Sequence, residues 1–378
     1  MADFQLSEEQ QSFRDLARDF ARREIAAVAS KYDESEEFPW EIVRRAHQAG
    51  LLNLEVPEEY GGAGLGPFEV ALIAEELAAG CAGIATSLLG NGLALLPILI
   101  FGSEEQKARF LPCFCAEPQM GAFCLTEPGA GSDFAAIATT ARKEGEEYVL
   151  DGVKTFITNG GVASLYTVIA STDRARGARG LSAFVVPAGI PGLSSGKKER
   201  KMGQHASDTR EVIFEGVHIP AGNLLLREGQ GFRIALETLE PSRVGVAAMA
   251  VGLSRAAFEA AREYAHQRVQ FGKPIIGHQA VQLMLADMAI AVETARLLTW
   301  RAARAFEQGL HEAGMLSAMA KCYATDVAMR VTTDAVQVFG GYGYIRDYPV
   351  EKYMRDAKLL QIYEGTNQIQ RLLIARRL

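Results

Sequence analysis

The spacing of apolar positions divides the chain into three stretches of different period. From residue 6 to about 117 they recur at helical spacing, and Phe13, Leu16, Phe20 and Ala21 share one stripe. Ser7 with Gln10, and Ser103 with Gln106, have the S-x-x-Q form of a capping box. In that form each side chain satisfies a backbone N–H left free by the first helical turn, so both pairs predict helix starts. Glycine and proline interrupt the helical run at residues 57–66, which predicts a loop.

From about 120 to 226 the period shortens. Residues 148–150, 165–171, 181–186 and 211–214 are β-type runs, punctuated by Asp151-Gly152, Asn159-Gly160-Gly161 and Pro-Gly pairs. After Gly229 the helical period returns. Val281, Leu285, Met288, Val292, Ala295, Ala302 and Phe306 fall on one face of a long helix, and Gln308-Gly309 is the kind of short break that joins antiparallel bundle helices. Strands and helices do not alternate, which excludes a doubly wound sheet. The expected fold class is α+β: an N-terminal α-helical domain (1–118), a small, mostly antiparallel middle β domain (119–227) and a C-terminal four-helix bundle (228–378).

Residues 81–101 carry no charge and are long enough to span a bilayer. Gly83, Gly90, Asn91, Gly92 and Pro97 interrupt the run and no basic cluster flanks it, so it reads as a buried helix pair and not as a membrane span.

Composition narrows the function classes. The 378 residues, 48% hydrophobic and 22% charged, suffice for a large core and exclude a disordered chain. Lys and Arg total 39 against 46 Asp and Glu, a net charge of −7 that does not attract phosphate backbones, so nucleic acid is not an expected partner. The 5 cysteines are odd in number and scattered, and the start Met-Ala-Asp-Phe-Gln-Leu-Ser-Glu-Glu lacks the basic and apolar segments of a secretion signal. The expected location is a bacterial cytoplasm; a processed mitochondrial matrix protein would look the same. The end Arg376-Arg377-Leu378 is not the small-basic-Leu peroxisomal signal.

Candidate chemistry is local. The 6 histidines include no H-x-x-x-H pair and Cys113-x-Cys115 has no second half, so no metal site is expected. Gly129-Ala-Gly131-Ser132-Asp133 has the wrong spacing for a hydrolase nucleophile elbow, and Phe134 occupies the place of the third glycine of a dinucleotide fingerprint. Gly129 to Ser132 can instead present consecutive N–H groups and a hydroxyl as a phosphate-binding nest, or be a plain turn. Strand alternation puts Phe156 and Thr158 on one face, an aromatic plate beside a hydroxyl; the same stretch reads equally as a hairpin with a type I′ turn. Glu364 precedes a glycine and a new helix, where it is either a base or a solvated charge.

Seven segments in order carry a resemblance: Leu-Thr-Glu-Pro-Gly-Ala-Gly-Ser-Asp (125–133), Phe-Ile-Thr-Asn-Gly-Gly (156–161), Lys-Met-Gly-Gln (201–204), Arg-Val-Gln-Phe-Gly (268–272), Gln-Val-Phe-Gly-Gly-Tyr-Gly (337–343), Arg-Asp-Ala-Lys (355–358) and Ile-Tyr-Glu-Gly-Thr-Asn-Gln-Ile-Gln-Arg (362–371). Together they resemble the acyl-CoA dehydrogenase family, flavoenzymes that introduce an α,β double bond into acyl-CoA thioesters. The resemblance implies FAD between the β domain and the bundle, with Phe123, Leu125, Thr126 and Ser132 on one side of the flavin and Phe156 and Thr158 on the other. It implies that Arg268, Phe271, Gln279, Gln337 and Gly341 reach a neighbouring subunit's FAD, that Thr366 and Gln368 add further FAD contacts, and that the chain forms a homotetramer, a dimer of dimers. Electron-transfer flavoprotein is the implied electron acceptor.

By the same resemblance Glu364 is the base that removes the pro-R α-proton while the β-hydride goes to flavin N5. The thioester carbonyl would be held by the Glu364 N–H and a ribityl hydroxyl. One branch of the family carries the base on an earlier helix, but the matching residue here is Ser242, which excludes that branch. Glu240, turned about 200° from Ser242 on a helix, matches a contact to the CoA end; Ser132, Arg243 and Gly365 match further substrate contacts. Phe123 and Phe156 stand where relatives often have Tyr and Trp, which keeps stacking faces and loses polar handles. An oxygen-using flavin oxidase or monooxygenase, a nucleic-acid-binding flavin relative and a non-catalytic scaffold are the alternatives. Retention of Glu364, the cofactor motifs and the acidic charge favour the dehydrogenase. Tyr363 beside the base leans towards short to medium straight acyl chains.

Overall fold

The computed structural model describes residues 5–378; Met1–Phe4, part of the segment read for a secretion signal, lie outside the described residues. The N-terminal part is helical: α1 (Glu8–Phe20), α2 (Ala29–Ser35), α3 (Trp40–Gln48), α4 (Pro67–Gly80), α5 (Ala82–Phe101), α6 (Glu104–Phe110) and α7 (Pro112–Ala116). Both capping boxes form. Ser7 Oγ accepts the Gln10 N–H while Gln10 Oε1 accepts the Ser7 N–H, and Ser103 and Gln106 open α6 the same way. The apolar stripe of α1 is corrected at one place: Ala17 is buried where Leu16, 45% exposed, was expected.

The uncharged run is one helix, α5, and not the expected pair. The break falls at Cys81, whose extended backbone (φ −168, ψ 118) separates α4 from α5, and Gly90, Gly92 and Pro97 are carried inside the helix. These interruptions are packing contacts. A Cβ at Gly90 would lie 3.2 Å from Thr158 Cγ2. The buried Asn91 gives its amide to Asn53 Oδ1 (3.0 Å) and Gln119 O (2.7 Å) and accepts the Gly121 N–H (2.8 Å), tying α5 to the first strand. By length and composition alone α5 and the first bundle helix could each cross a membrane, but 67% of each apolar window is buried within the fold.

The middle part is a seven-stranded sheet: β1 (Met120–Cys124), β2 (Thr140–Glu144), β3 (Glu147–Thr158), β4 (Ala163–Ser171), β5 (Leu181–Pro187), β6 (Leu193–Lys198) and β7 (Thr209–Pro220). The order is β1-β4-β2-β3-β7-β6, with β5 added on β4; β1 runs parallel to β4, and most other pairs are antiparallel. β4 is almost wholly buried because both faces are covered, which explains its unalternating apolar sequence. The type I′ hairpin does not exist. β3 pairs with β2 and β7 whereas β4 pairs with β1, β2 and β5, so residues 159–162 form a crossover, in which the buried Asn159 gives its amide to Ser87 O and Gly121 O.

The C-terminal part comprises α8 (Gly231–Gln267), a two-strand finger of β8 (Val269–Gln270) and β9 (Lys273–Pro274), α9 (Gln279–Glu307), α10 (Ala313–Phe339), α11 (Val350–Leu360) and α12 (Asn367–Ala375). The predicted face of α9 points inward: Leu285, Met288, Val292, Ala295 and Ala302 are buried, and Val281 and Phe306 pack against the same core. The core is continuous from α1 and α4 through α8, α9 and α10.

Buried charge also joins the three parts. Asp33 of α2 receives two guanidinium bonds from Arg355 of α11 and faces the His205 ring from the β domain (Nδ1 to Oδ1, 3.2 Å). Both His205 nitrogens face carbonyl oxygens, Asp33 O (2.9 Å) and Lys201 O (2.8 Å), so the ring donates to both only as imidazolium. The Asp33 bond pushes the His205 pKa up to about 9. Burial would raise Asp33, but the bonds from His205 and Arg355 outweigh it and hold its carboxyl below the usual range. Because the folded pKa of His205 exceeds the unfolded value of about 6.5, its contribution is fully present below pH 6.5 and is lost as pH rises through 9. Melting temperatures of wild type and His205→Gln should therefore differ most on the acid side of neutrality and converge in alkali; a pH-independent gap would contradict the imidazolium.

Candidate active site

The site is built around a short connector between α11 and α12. Glu364 and Gly365 both adopt left-handed backbone (φ 56 and 88), and Thr366 then caps α12 with its hydroxyl accepting the Ile369 N–H (3.3 Å). Gly365 has two reasons to be glycine: its positive φ, and a Cβ there would lie 2.6 Å from Gln370 Nε2. That amide donates to Glu364 O (3.1 Å) and Gly365 O (3.0 Å), so the turn is held from its own helix.

The Glu364 side chain is half-buried and is not a solvated charge. Burial raises its pKa above the ordinary carboxyl value, while the Ser242 hydroxyl bond and the nearby Arg243 and Lys321 charges pull it back. Ser242 Oγ donates to Glu364 Oε2 at 2.5 Å. The two positions at which a base was considered, one on α8 and one in the connector, are thus neighbours in space, one carrying the carboxylate and the other its hydrogen-bond donor. Glu240 goes elsewhere, pairing with Arg377 (2.6 Å). Arg243 is 4% exposed and its Nε has no hydrogen-bond partner among the described residues, a buried cation whose charge is felt by Glu364.

Tyr363 closes one side. Its hydroxyl lies 3.5 Å from Thr86 Oγ1 and 3.9 Å from Met249 Sδ, and Thr86 donates to Gln204 Oε1 (2.7 Å). Gln204, last residue of the Lys-Met-Gly-Gln segment, donates its own N–H to Asp356 Oδ1 (2.5 Å). α5, the β domain and α11 therefore meet behind the aromatic ring.

A second cluster lies on the β domain. Phe123, Leu125, Thr126 and Thr158 are half-buried, and Phe156 is 64% exposed on a β3 bulge with φ 56. Burial alternates through Phe156, Ile157 and Thr158, so the plate and the hydroxyl share the exposed side. Two bonds splice β3 to the segment after β1: Thr155 N–H to Thr126 O (2.9 Å) and Lys154 Nζ to Leu125 O (3.0 Å). Lys154 has no exposure and pairs with Glu127 at 2.8 Å; Glu127 also accepts the Ala138 and Thr139 N–H groups. Ser132 is exposed on the loop beyond. Of the two readings of Gly129 to Ser132, a nest or a plain turn, the structure favours the turn: no residue there has positive φ. Ala130 and Glu127 exchange backbone bonds across a plain turn.

The third cluster is at one end of the bundle. The β8–β9 finger carries Phe271, 93% exposed, and Arg268 stacks over Tyr342 (5.3 Å), which brings the finger beside Gly341 and the end of α10 at Gln337. Gln279 opens α9 next to it, and Gln368 lies exposed on α12. Lys321, Gln370, Asn367 and Gln204 are residues of the site that sequence reasoning missed. The available signal for Lys321 was a charge among small residues on a helix face, with Ser317 and Thr325 one turn to either side.

Helical parts flank one mixed sheet, with a half-buried carboxylate on the bundle side and an aromatic and hydroxyl cluster on the sheet, an arrangement that suits a flavin-dependent dehydrogenase. The chain matches the family models for the N-terminal (residues 7–118), middle (122–217) and C-terminal (229–378) domains of acyl-CoA dehydrogenase, and it belongs to that family. It is 44% identical to the short-chain specific acyl-CoA dehydrogenase of Clostridium acetobutylicum, over 99% of this chain and 98% of the relative. Its fold superimposes with TM-score 0.97 on butyryl-CoA dehydrogenase from Megasphaera elsdenii (44% identity, 100% of this chain, 99% of that one). It matches equally, at 47% identity over 100% and 99%, a chain solved in work on the electron transferring flavoprotein of Acidaminococcus fermentans. The protein is accordingly an FAD-dependent oxidoreductase acting on CH–CH bonds of acyl-CoA.

The residues present fit the cofactor. Phe156 offers an exposed aromatic face, and the Thr126 and Thr158 hydroxyls beside it have no partner among the described residues, so they are free for the hydrogen-bonding edge of a flat heteroaromatic ring. Among the described residues no group of three or more potential ligands forms a metal site.

Proposed function

We propose that this chain dehydrogenates short straight acyl-CoA thioesters to trans-2-enoyl-CoA, with Glu364 removing the α-proton. The observation that carries the reading is Glu364 itself: a half-buried carboxylate with raised basicity, fixed in a left-handed turn and oriented by Ser242. A thioester α-proton is weakly acidic, so the base must lose water and the developing enolate needs donors at its oxygen. Burial supplies the first, and the Glu364 N–H in the same turn would supply the second. Phe123, Leu125, Thr126, Ser132, Phe156, Thr158, Thr366 and Gln368 would hold FAD, and bound FAD supplies the acceptor for the β-hydride. Arg243, Glu240, Ser132 and Gly365 would line the path of the CoA thioester, and Tyr363 with Thr86 and Met249 would limit its acyl end.

Arg268, Phe271, Gln279, Gln337 and Gly341 would serve a neighbour's cofactor. Gln337 lies sixteen residues beyond Lys321, about 24 Å along α10, which suits contact from a second copy better than contact with the chain's own base. Exposed Leu283, Ile290 and Leu297 at heptad spacing on α9 offer an apolar face for such a copy, and we place the chain in a homotetramer. The three parts, 1–118, 119–227 and 228–378, would act as its domains. Five free cysteines suit the cytoplasm, and electron-transfer flavoprotein is the acceptor that the family resemblance implies. Anaerobic titration of the yellow protein with acyl-CoAs of increasing length tests the reading. Flavin bleaching should be strongest with short chains and fade with length; absence of bleaching with every straight chain would overturn it.

A further inference from the structure

The carboxylate turn is also held from below, by an amine that neither the motifs nor the comparisons assign. Lys321 on α10 has no solvent exposure, and its Nζ donates to Gly365 O (2.8 Å) and Asn367 Oδ1 (3.0 Å). These acceptors flank the helix cap Thr366, so the amine bridges the turn and the first residue of α12. Asn367 is itself fixed, giving its amide to Cys322 O, Thr325 Oγ1 and Asp326 Oδ1. A non-glycine residue stays left-handed only where its surroundings over-determine it. At Glu364 those surroundings are Gln370 on one side and Lys321 on the other.

We propose that Lys321 is the positioning residue of the proton-abstracting carboxylate: its amine, bonded to Gly365 O and Asn367 Oδ1, locks the Glu364–Gly365 turn and sets a buried positive charge beneath it. The inference rests on the reading of Glu364 as the base. The charged or titratable groups facing the pair are Arg243 from α8, Cys322 and Asp326 from α10 and Tyr363 from the connector, with Arg371 of α12 bound to Asp326. Burial lowers the Lys321 pKa to about 8, opposed by the Glu364 charge, and in return the Lys321 charge lowers that of Glu364. Both hydrogen bonds survive in a neutral amine, which keeps two N–H groups. The turn and the charge can therefore be separated.

The test uses the FAD-loaded full chain, anaerobically mixed with butyryl-CoA, following flavin reduction against pH. Lys321→Met should lower the limiting rate on the order of 10²-fold through a displaced carboxylate, leave acyl-CoA affinity unchanged, and move the acid limb to higher pH. Lys321→Gln keeps an NH2 donor without charge and should recover most of the rate while retaining the shifted limb. A fall in rate with the limb unmoved would make Lys321 a purely structural contact and overturn the proposal, as would wild-type rate and limb in both variants. Where Lys321→Met does not retain flavin, Lys321→Gln decides alone by its limb. Glu364→Gln runs alongside. If it reduces flavin at the wild-type rate, the base reading falls; if it is silent while the Lys321 variants behave as wild type, only this inference falls.

Discussion

Glu364→Gln should retain FAD, bind acyl-CoA and lose substrate-driven flavin reduction by on the order of 10³-fold. The amide keeps the size of the carboxylate and its contact with the Ser242 hydroxyl, so the left-handed turn and the cap at Thr366 have no reason to rearrange. What disappears is the carboxylate that the proposal makes the proton acceptor. Neither Ser242 nor Tyr363 substitutes: a hydroxyl is too weak a base, and burial raises the Tyr363 pKa so that it stays protonated. Rapid mixing of the variant with butyryl-CoA checks this, with flavin content and thioester binding measured on the same sample. Undiminished bleaching would refute the assignment. In the wild type the rate should fall as pH drops through the raised Glu364 pKa, because the proton acceptor is then lost.

The largest expected loss of stability comes from a residue outside the chemistry. Lys154 and Glu127 form an ion pair with essentially no exposure behind the segment that bears Leu125 and Thr126. Burial pushes the Lys154 pKa down, opposed by the Glu127 charge; burial would raise Glu127, but the Lys154 charge together with the hydrogen bonds from Lys154, Thr139 and Ala138 outweighs it. Lys154→Met leaves a carboxylate buried without its cation, which costs about 3–5 kcal/mol. The melting temperature should fall, and FAD retention with it, because the splice between β3 and the Leu125 carbonyl is cut. The double change Lys154→Met with Glu127→Gln should recover part of the loss. Equal melting temperatures for Lys154→Met and wild type would show the pair to be energetically idle.

Periodicity located the long helix α9, the start of α1 and the apolar runs within β3, β4, β5 and β7, because those elements are specified locally. It erred where tertiary contact overrode local signal. Gly90, Asn91 and Gly92 look like a break, yet all three sit inside α5, where Gly90 packs on Thr158 at the end of β3, Asn91 bonds to Gly121 of β1 and Gly92 faces Glu55. Asn159-Gly160 looks like a hairpin turn, yet the Asn159 amide is satisfied by α5 and β1, and the chain crosses to a different place in the sheet. β1, β2 and β6 went unseen because they are short or carry too little apolar alternation. Glu364 was legible as a candidate from its place before Gly365 and a helix start. Its chemistry was not, since desolvation and the contacts with Ser242, Arg243 and Lys321 join residues more than forty positions apart. Lys321 shows the limit most clearly: a lysine in a helix is ordinarily solvated, and only the fold turns this one inward onto the Gly365 carbonyl.

Proton abstraction can be isolated from hydride transfer by using acetyl-CoA, which has α-hydrogens and no β-carbon. The FAD-loaded protein in deuterated water should incorporate deuterium at the acetyl methyl, and Glu364→Gln should not. Exchange at the same rate in both proteins would contradict the account.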